Sequence, residues 1–154
     1  MIVEIEWNGK RYEIDTDQRV FIMEDNGVKT AMMYMPGLPC PVMINISGPH
    51  PVWSWNGDVF DPTFSPSILT QLPWGAKGKE IRNHVFVRNG RIQYLSDCSH
   101  KYAGKAMVEL PRLCDWPKDM KLWEEEPELP VHHGSTGATT AEEAMSRLVK
   151  ASFN

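Results

Sequence analysis

Along the first hundred residues, apolar and polar positions alternate with a period of two, and the alternation is punctuated by Asn-Gly dipeptides. In "VEIEWNGKRYEI", Asn8-Gly9 suits a two-residue type I′ turn, because both central positions of that turn need positive φ. Counting outward sets Val3 opposite Ile14, Ile5 opposite Tyr12 and Trp7 opposite Lys10 on one face, leaving Glu4, Glu6, Arg11 and Glu13 for water. "VFIMEDNGVKTAMMYM" repeats the device at Asp25-Asn26-Gly27. "NHVFVRNGRIQYLSDCSH" repeats it at Asn89-Gly90 and pairs Val87 with Ile92, Val85 with Tyr94 and Asn83 with Ser96. "CPVMINIS" and "AMVELP" supply further strands.

Short strands at close spacing predict an all-β or β-rich α+β fold, a single small domain of antiparallel hairpins spanning 1–111. Between 112 and 139 neither period is clear, and Pro, Trp and acidic residues predict an irregular connection. Its "PVHHGSTG" end makes His132 and His133 loop residues rather than metal ligands. In 140–152, Thr140 and Glu143 form a capping box, and Ala141, Ala144, Met145, Leu148 and Val149 follow helical spacing. One amphipathic C-terminal helix packed on the same domain is expected.

Composition narrows the function. A chain of 154 residues is long enough to bury a core of its own. A net charge of −4 with no basic stripe offers nothing to a phosphate backbone, so nucleic acid is not expected as a partner. Three cysteines, Cys40, Cys98 and Cys114, show no C-x-x-C spacing and fit a reducing cytoplasm. The N-terminus lacks a secretory pattern, and no apolar run approaches the ~20 residues that span a bilayer. A membrane partner is not expected either.

The Asn89-Gly90 register carries the candidate chemistry. It puts His84 and Asp97 on one face as diagonal neighbours, within side-chain reach. Cys98 joins them only if the strand stops early and "DCSH" curls into a turn, and His100 follows on that turn. His84, Asp97 and His100 are therefore the candidate catalytic set, and His84, Cys98 and His100 the weak candidates for a metal. A second wall comes from "WSWNGDVFDPTFSPSIL": Trp53 and Trp55 as aromatic surface, Asn56 and Asp58 in a turn, and Thr63, Ser65 and Ser67 on one side of an extended segment. These seven residues have the composition of a small-ligand or peptide pocket. A Pro-punctuated edge strand with locally bonded hydroxyls would have the same composition.

The segments "WNGDVFDPTFSPSIL", "NHVFVRNGRIQYLSDCSH" and "YAGKAMVELP", taken in order, resemble a family of small phage and prophage proteins with W-N-G-D, P-T-F-S-P-S, C-H-S-F-V and D-C-T-H motifs. The resemblance covers about Tyr34 to Pro111. Members are often labelled "ammonia monooxygenase", a label unsuited to a chain without membrane spans. Where the family has a C-P-G-C knuckle this chain has "MPGL", so Met35 and Leu38 replace two cysteines, and Asn83 replaces the cysteine of C-H-S-F. The resemblance thus implies a structural zinc site that is lost here, since tetrahedral zinc is not held by Met, Leu and Asn side chains. Retained are Asn56, Asp58, Thr63, Ser65, Ser67, His84, Asp97, His100 and Gly104.

Three functions are compatible with these residues. Small size, acidic charge and exposed aromatic segments favour a cytoplasmic binding protein that engages a host protein or small metabolite, and the resemblance implies that it is of phage type, with counteraction of host defence as one purpose. A hydrolase, metal-assisted or not, would use His84 as a base oriented by Asp97, although no G-x-S-x-G elbow marks a nucleophile. The resemblance also implies an accessory role in ubiquitin-like conjugation chemistry.

Overall fold

The computed structural model describes residues 1–73, 78–117, 149–150 and 152–153. Strands β1 (Ile2–Trp7) and β2 (Lys10–Asp15) form an N-terminal hairpin whose register is the expected one, with Val3 opposite Ile14 and Ile5 opposite Tyr12. Strands β3 (Phe21–Asp25), β4 (Val28–Met33) and β5 (Val42–Asn45) make an antiparallel meander. The larger sheet is built on β7 (Phe64–Leu72), β8 (Ile81–Arg88) and β9 (Arg91–Tyr94), with short strands β6 (Ser54–Trp55) and β10 (Val108–Glu109) at its margins. At all three hairpin turns the Asn and Gly have positive φ, between 50° and 79°.

The three sheets stack as layers. Ala31, Met33, Val42 and Ile44 of the meander meet Ile68, Val85, Val87, Ile92 and Tyr94 of the larger sheet in one core. The meander's other face, through Phe21, Met23 and Met32, packs under the N-terminal hairpin with Trp116. A sheet covered on both sides has little need of polar alternation, and the run Ala31, Met32, Met33 is buried throughout.

Where a C-terminal helix was expected over 140–152, the described residues are strands instead. Val149–Lys150 is a strand, β11, parallel to β5, and Ser152–Phe153 is a strand, β12, antiparallel to β7 at Leu69 and Ile68. Pairing with the edges of β5 and β7 satisfies the backbone groups of these four residues. Residues 140–148, which carry the capping box, lie outside the described residues, as do His132 and His133. Among the described residues no helix is long and apolar enough to cross a membrane.

Candidate active site

The site is assembled across neighbouring strands of the larger sheet. His84 on β8 faces Leu69 of β7, so Ser67, two residues earlier, is its diagonal neighbour on the same face. On the other side, β9 ends at Tyr94, and the Leu95 amide still donates to the His84 carbonyl at 2.9 Å. Asp97, two residues on, falls diagonally on that side. Ser67 Oγ lies 3.1 Å from His84 Nε2, and His84 Nδ1 lies 3.0 and 3.2 Å from the two carboxylate oxygens of Asp97. Serine, histidine and aspartate therefore form one line of hydrogen bonds.

Ser67 reaches that line because β7 is bulged. The register jumps from Phe64 opposite Val87 to Ile68 opposite Val85, so three residues of β7 face Phe86 alone. Bulges re-aim side chains, and Pro66, which has no amide to offer a ladder, sits within this one. The bulge also falls between β6 and β12 along the other edge of β7. There the buried Trp53 indole donates to the Ser67 carbonyl at 3.2 Å and fixes the backbone of the serine.

Charge sets the direction of the hydrogen bonds. Desolvation works against the Asp97 carboxylate, but hydrogen bonds from His84 and Arg82 outweigh it and hold its pKa below the usual carboxylate range. Arg82 Nε donates to Asp97 Oδ2 at 3.2 Å. An ionised Asp97 accepts from Nδ1–H, so Nε2 of His84 carries the lone pair that faces the Ser67 hydroxyl. The turn "DCSH" curls as one of the sequence alternatives required, with the Cys98 amide donating to the Leu95 carbonyl. The His84 amide donates to Cys98 Sγ at 3.3 Å and the thiol donates to the His84 carbonyl at 3.4 Å. Burial pushes the Cys98 thiol up, which keeps it a donor.

His100 lies on the opposite side of β8. Its Nε2 donates to Asn83 Oδ1 at 2.7 Å, and its Nδ1 accepts from the Tyr102 amide at 3.2 Å. The Asn83 amide nitrogen in turn donates to Met35 Sδ at 3.3 Å. Met35, Leu38 and Asn83 are all buried in this corner, and Gly37, at a φ of 105°, passes so near the His100 ring that a Cβ would come within 2.8 Å of it. The donor atoms are turned toward each other rather than toward a common point, and Leu38 has none. This set does not fit zinc. Among the described residues no three His, Cys, Asp or Glu are grouped to hold a metal ion.

The other sequence candidates have local partners. Asn56 Oδ1 accepts from the amides of Asp58 and Thr63, and Asp58 Oδ1 accepts from those of Phe60 and Asp61. Thr63 Oγ1 accepts from the Asn89 amide at 2.8 Å, tying the bulged strand to the hairpin turn. Trp55 stacks on Phe64, and Ser65 is exposed with its carbonyl taken by Ser54. Of the hydroxyl row, Ser67 is the member brought to His84. Arg82 went unnoticed in the sequence, although its alternation with His84 puts it beside the end of the same hairpin.

Residues 6–95 match the sequence profile of BubE, described as the bacterial ubiquitination-like system serine protease. The chain belongs to the BubE family. The span that matches BubE includes Ser67 and His84 and ends two residues before Asp97. Comparison with curated proteins and with solved structures finds no match.

Proposed function

We propose that this chain is a serine hydrolase, a protease of a bacterial ubiquitination-like system, in which Ser67 is the nucleophile, His84 the general base and acid, and Asp97 the group that orients His84. The observation that carries this reading is the hydrogen-bonded line from Ser67 through His84 to Asp97. Its chain order, Ser, His, Asp, differs from the orders found in several unrelated hydrolase folds, but such a triad is defined by geometry and roles rather than sequence position. The binding-protein reading rested on size, charge and exposed aromatic segments, with its phage origin taken from resemblance. A serine and a charge-coupled histidine in contact are an arrangement that binding does not require.

The chemistry follows from the polarity of the line. Ser67 Oγ attacks the carbonyl carbon of an amide while its proton passes to His84 Nε2, and the imidazolium is stabilised by the Asp97 carboxylate at Nδ1. Collapse of the tetrahedral adduct breaks the carbon–nitrogen bond, and His84 returns the proton to the leaving amine. Water then attacks the Ser67 ester with His84 again as base, which frees the acid and restores the hydroxyl.

The test is labelling of the full chain by a fluorophosphonate, followed by mass spectrometry of the modified peptide. Modification of Ser67 that is absent in Ser67→Ala and slowed ~10²- to 10⁴-fold in His84→Gln is expected. Labelling at a different serine, or equal labelling of the variants, contradicts the assignment.

A further inference from the structure

The face that carries His84 continues along β8 to Phe86 and Arg88, at ~7 Å per step. Across the hairpin, Gln93 stands opposite Phe86 and Arg91 opposite Arg88. These residues, with Ile92 and Met107, line a cleft of about 90 Å³. Arg88 lies over the Phe86 ring at 4.2 Å and donates to Gln93 Oε1 at 3.0 Å, so two neighbours within the cleft position its guanidinium. Met107 is 69% exposed at the rim, at a φ of 63° that side chains rarely adopt.

Two arginines directly opposite each other beside a tight turn break a rule of strand pairing, since like charges there destabilise the hairpin. The rest of the chain makes this more pointed. Among the described residues Arg11, Arg19, Arg82 and Arg112 each pair with a carboxylate, whereas Arg88 and Arg91 have no ion pair. The two arginines without an ion pair among the described residues therefore stand at one cleft, on the face of the proposed base.

We infer that this cleft is a specificity subsite that receives an acidic side chain of an extended peptide substrate, two to four residues from the scissile bond. The inference rests on the hydrolytic reading of Ser67 and deepens it. Alternate residues of an extended peptide advance ~7 Å, the step that separates His84, Phe86 and Arg88. A planar guanidinium binds a carboxylate in two parallel hydrogen bonds, while Phe86 and Met107 provide apolar contact for the methylene stem. Two cations over an apolar floor suit one carboxylate better than the repeated phosphates of a nucleic acid.

The experiment compares capped octapeptide libraries with Asp or Glu, or their isosteres Asn or Gln, fixed at each position in turn. Cleavage by the full chain and retention on full-length Ser67→Ala are both measured. The acidic libraries are expected to be cleaved and retained ~10-fold better at one position, and Arg88→Gln/Arg91→Gln is expected to erase that preference while fluorophosphonate labelling of Ser67 is unchanged. Equal handling of acid and amide overturns the subsite, as does a preference that survives in the double variant. Labelling reads the triad separately: if Ser67 does not label, retention alone decides, and equal retention of the two libraries overturns the inference. Retention of a single-stranded oligonucleotide that matches the acidic peptides and is lost in the double variant overturns the peptide assignment.

Discussion

Asn83 and His84 are consecutive on one strand, yet they open onto two regions with opposite physics. On the Asn83 side, His100 is half-buried between an amide and aromatic rings: Nε2 donates to Asn83, Nδ1 accepts from Tyr102, and burial lowers its pKa below 6.5. Both ring nitrogens are occupied, and the neutral ring is a structural element. On the His84 side the tautomer is reversed. Nδ1 donates to a carboxylate that also accepts from Arg82, and Nε2 faces a serine hydroxyl. A histidine is thus made inert or basic at its reactive nitrogen by which neighbour takes the other nitrogen's proton. Residue type did not distinguish the two, and strand parity did.

The sharpest way to separate the regions is Asp97→Asn. The amide can no longer hold the Nδ1–H tautomer by charge, so the labelling rate of Ser67 is expected to fall about 10³-fold or more with a nearly unchanged thermal midpoint. A small loss of rate would place Asp97 outside the machinery.

Next comes the hairpin that supports both sides. Gly90 has a φ of 74°, and a Cβ there would lie 3.0 Å from Asp61 Oδ1 and 3.2 Å from Asp61 Cα. Gly90→Val combines backbone strain with a clash against main chain and is expected to cost about 3 kcal/mol in denaturant melts. An unchanged midpoint would show that the register is wrong.

A smaller effect is expected on the Asn83 side. Asn83→Ala leaves the half-buried His100 without its acceptor and should cost about 1–3 kcal/mol of stability, without slowing Ser67 labelling. If the corner needs no zinc, chelation with EDTA leaves the thermal midpoint in place, and a fall of many degrees would reinstate a bound metal.

The smallest effect is electrostatic. His100 has a lowered pKa, so the unfolded chain binds more protons than the folded one as pH falls below 6.5. Stability should therefore decline on acidification from pH 7 through that value, and less so in His100→Gln. A slope unaffected by the substitution would assign it to other groups.

Much of this contrast was legible in the chain because Asn-Gly turns fix register, and register fixes faces. The pairs Val85 with Tyr94 and Val87 with Ile92, and the separation of Asn83 from His84, follow from counting outward from Gly90. Ser67 was legible as a polar group of the site region but not as a nucleophile, because simple alternation groups it with Thr63 and Ser65. The bulge that re-aims it depends on partners more than fifteen residues away. The G-x-S-x-G signature is specific to a strand-to-helix elbow, and a serine on a bulged strand carries no such signature. Strands β11 and β12 were hidden for a similar reason, since residues near Val149 and Phe153 follow the edges of β5 and β7 rather than their own local spacing. Arg88 and Arg91 were visible all along as like charges flanking a turn, a conflict of local rules that marks a functional surface more often than a structural one.

The most direct test of the account is the tautomer of each histidine ring, read from one- and two-bond ¹H–¹⁵N correlations of the full chain above neutral pH. His84 is expected to carry its proton on Nδ1, with Nε2 unprotonated and facing Ser67, and His100 to carry its proton on Nε2. Asp97→Asn should disturb the first and leave the second alone. An Nε2–H tautomer for His84, or a His84 pattern indifferent to Asp97→Asn, would contradict the line from Ser67 to Asp97 on which the proposed function rests.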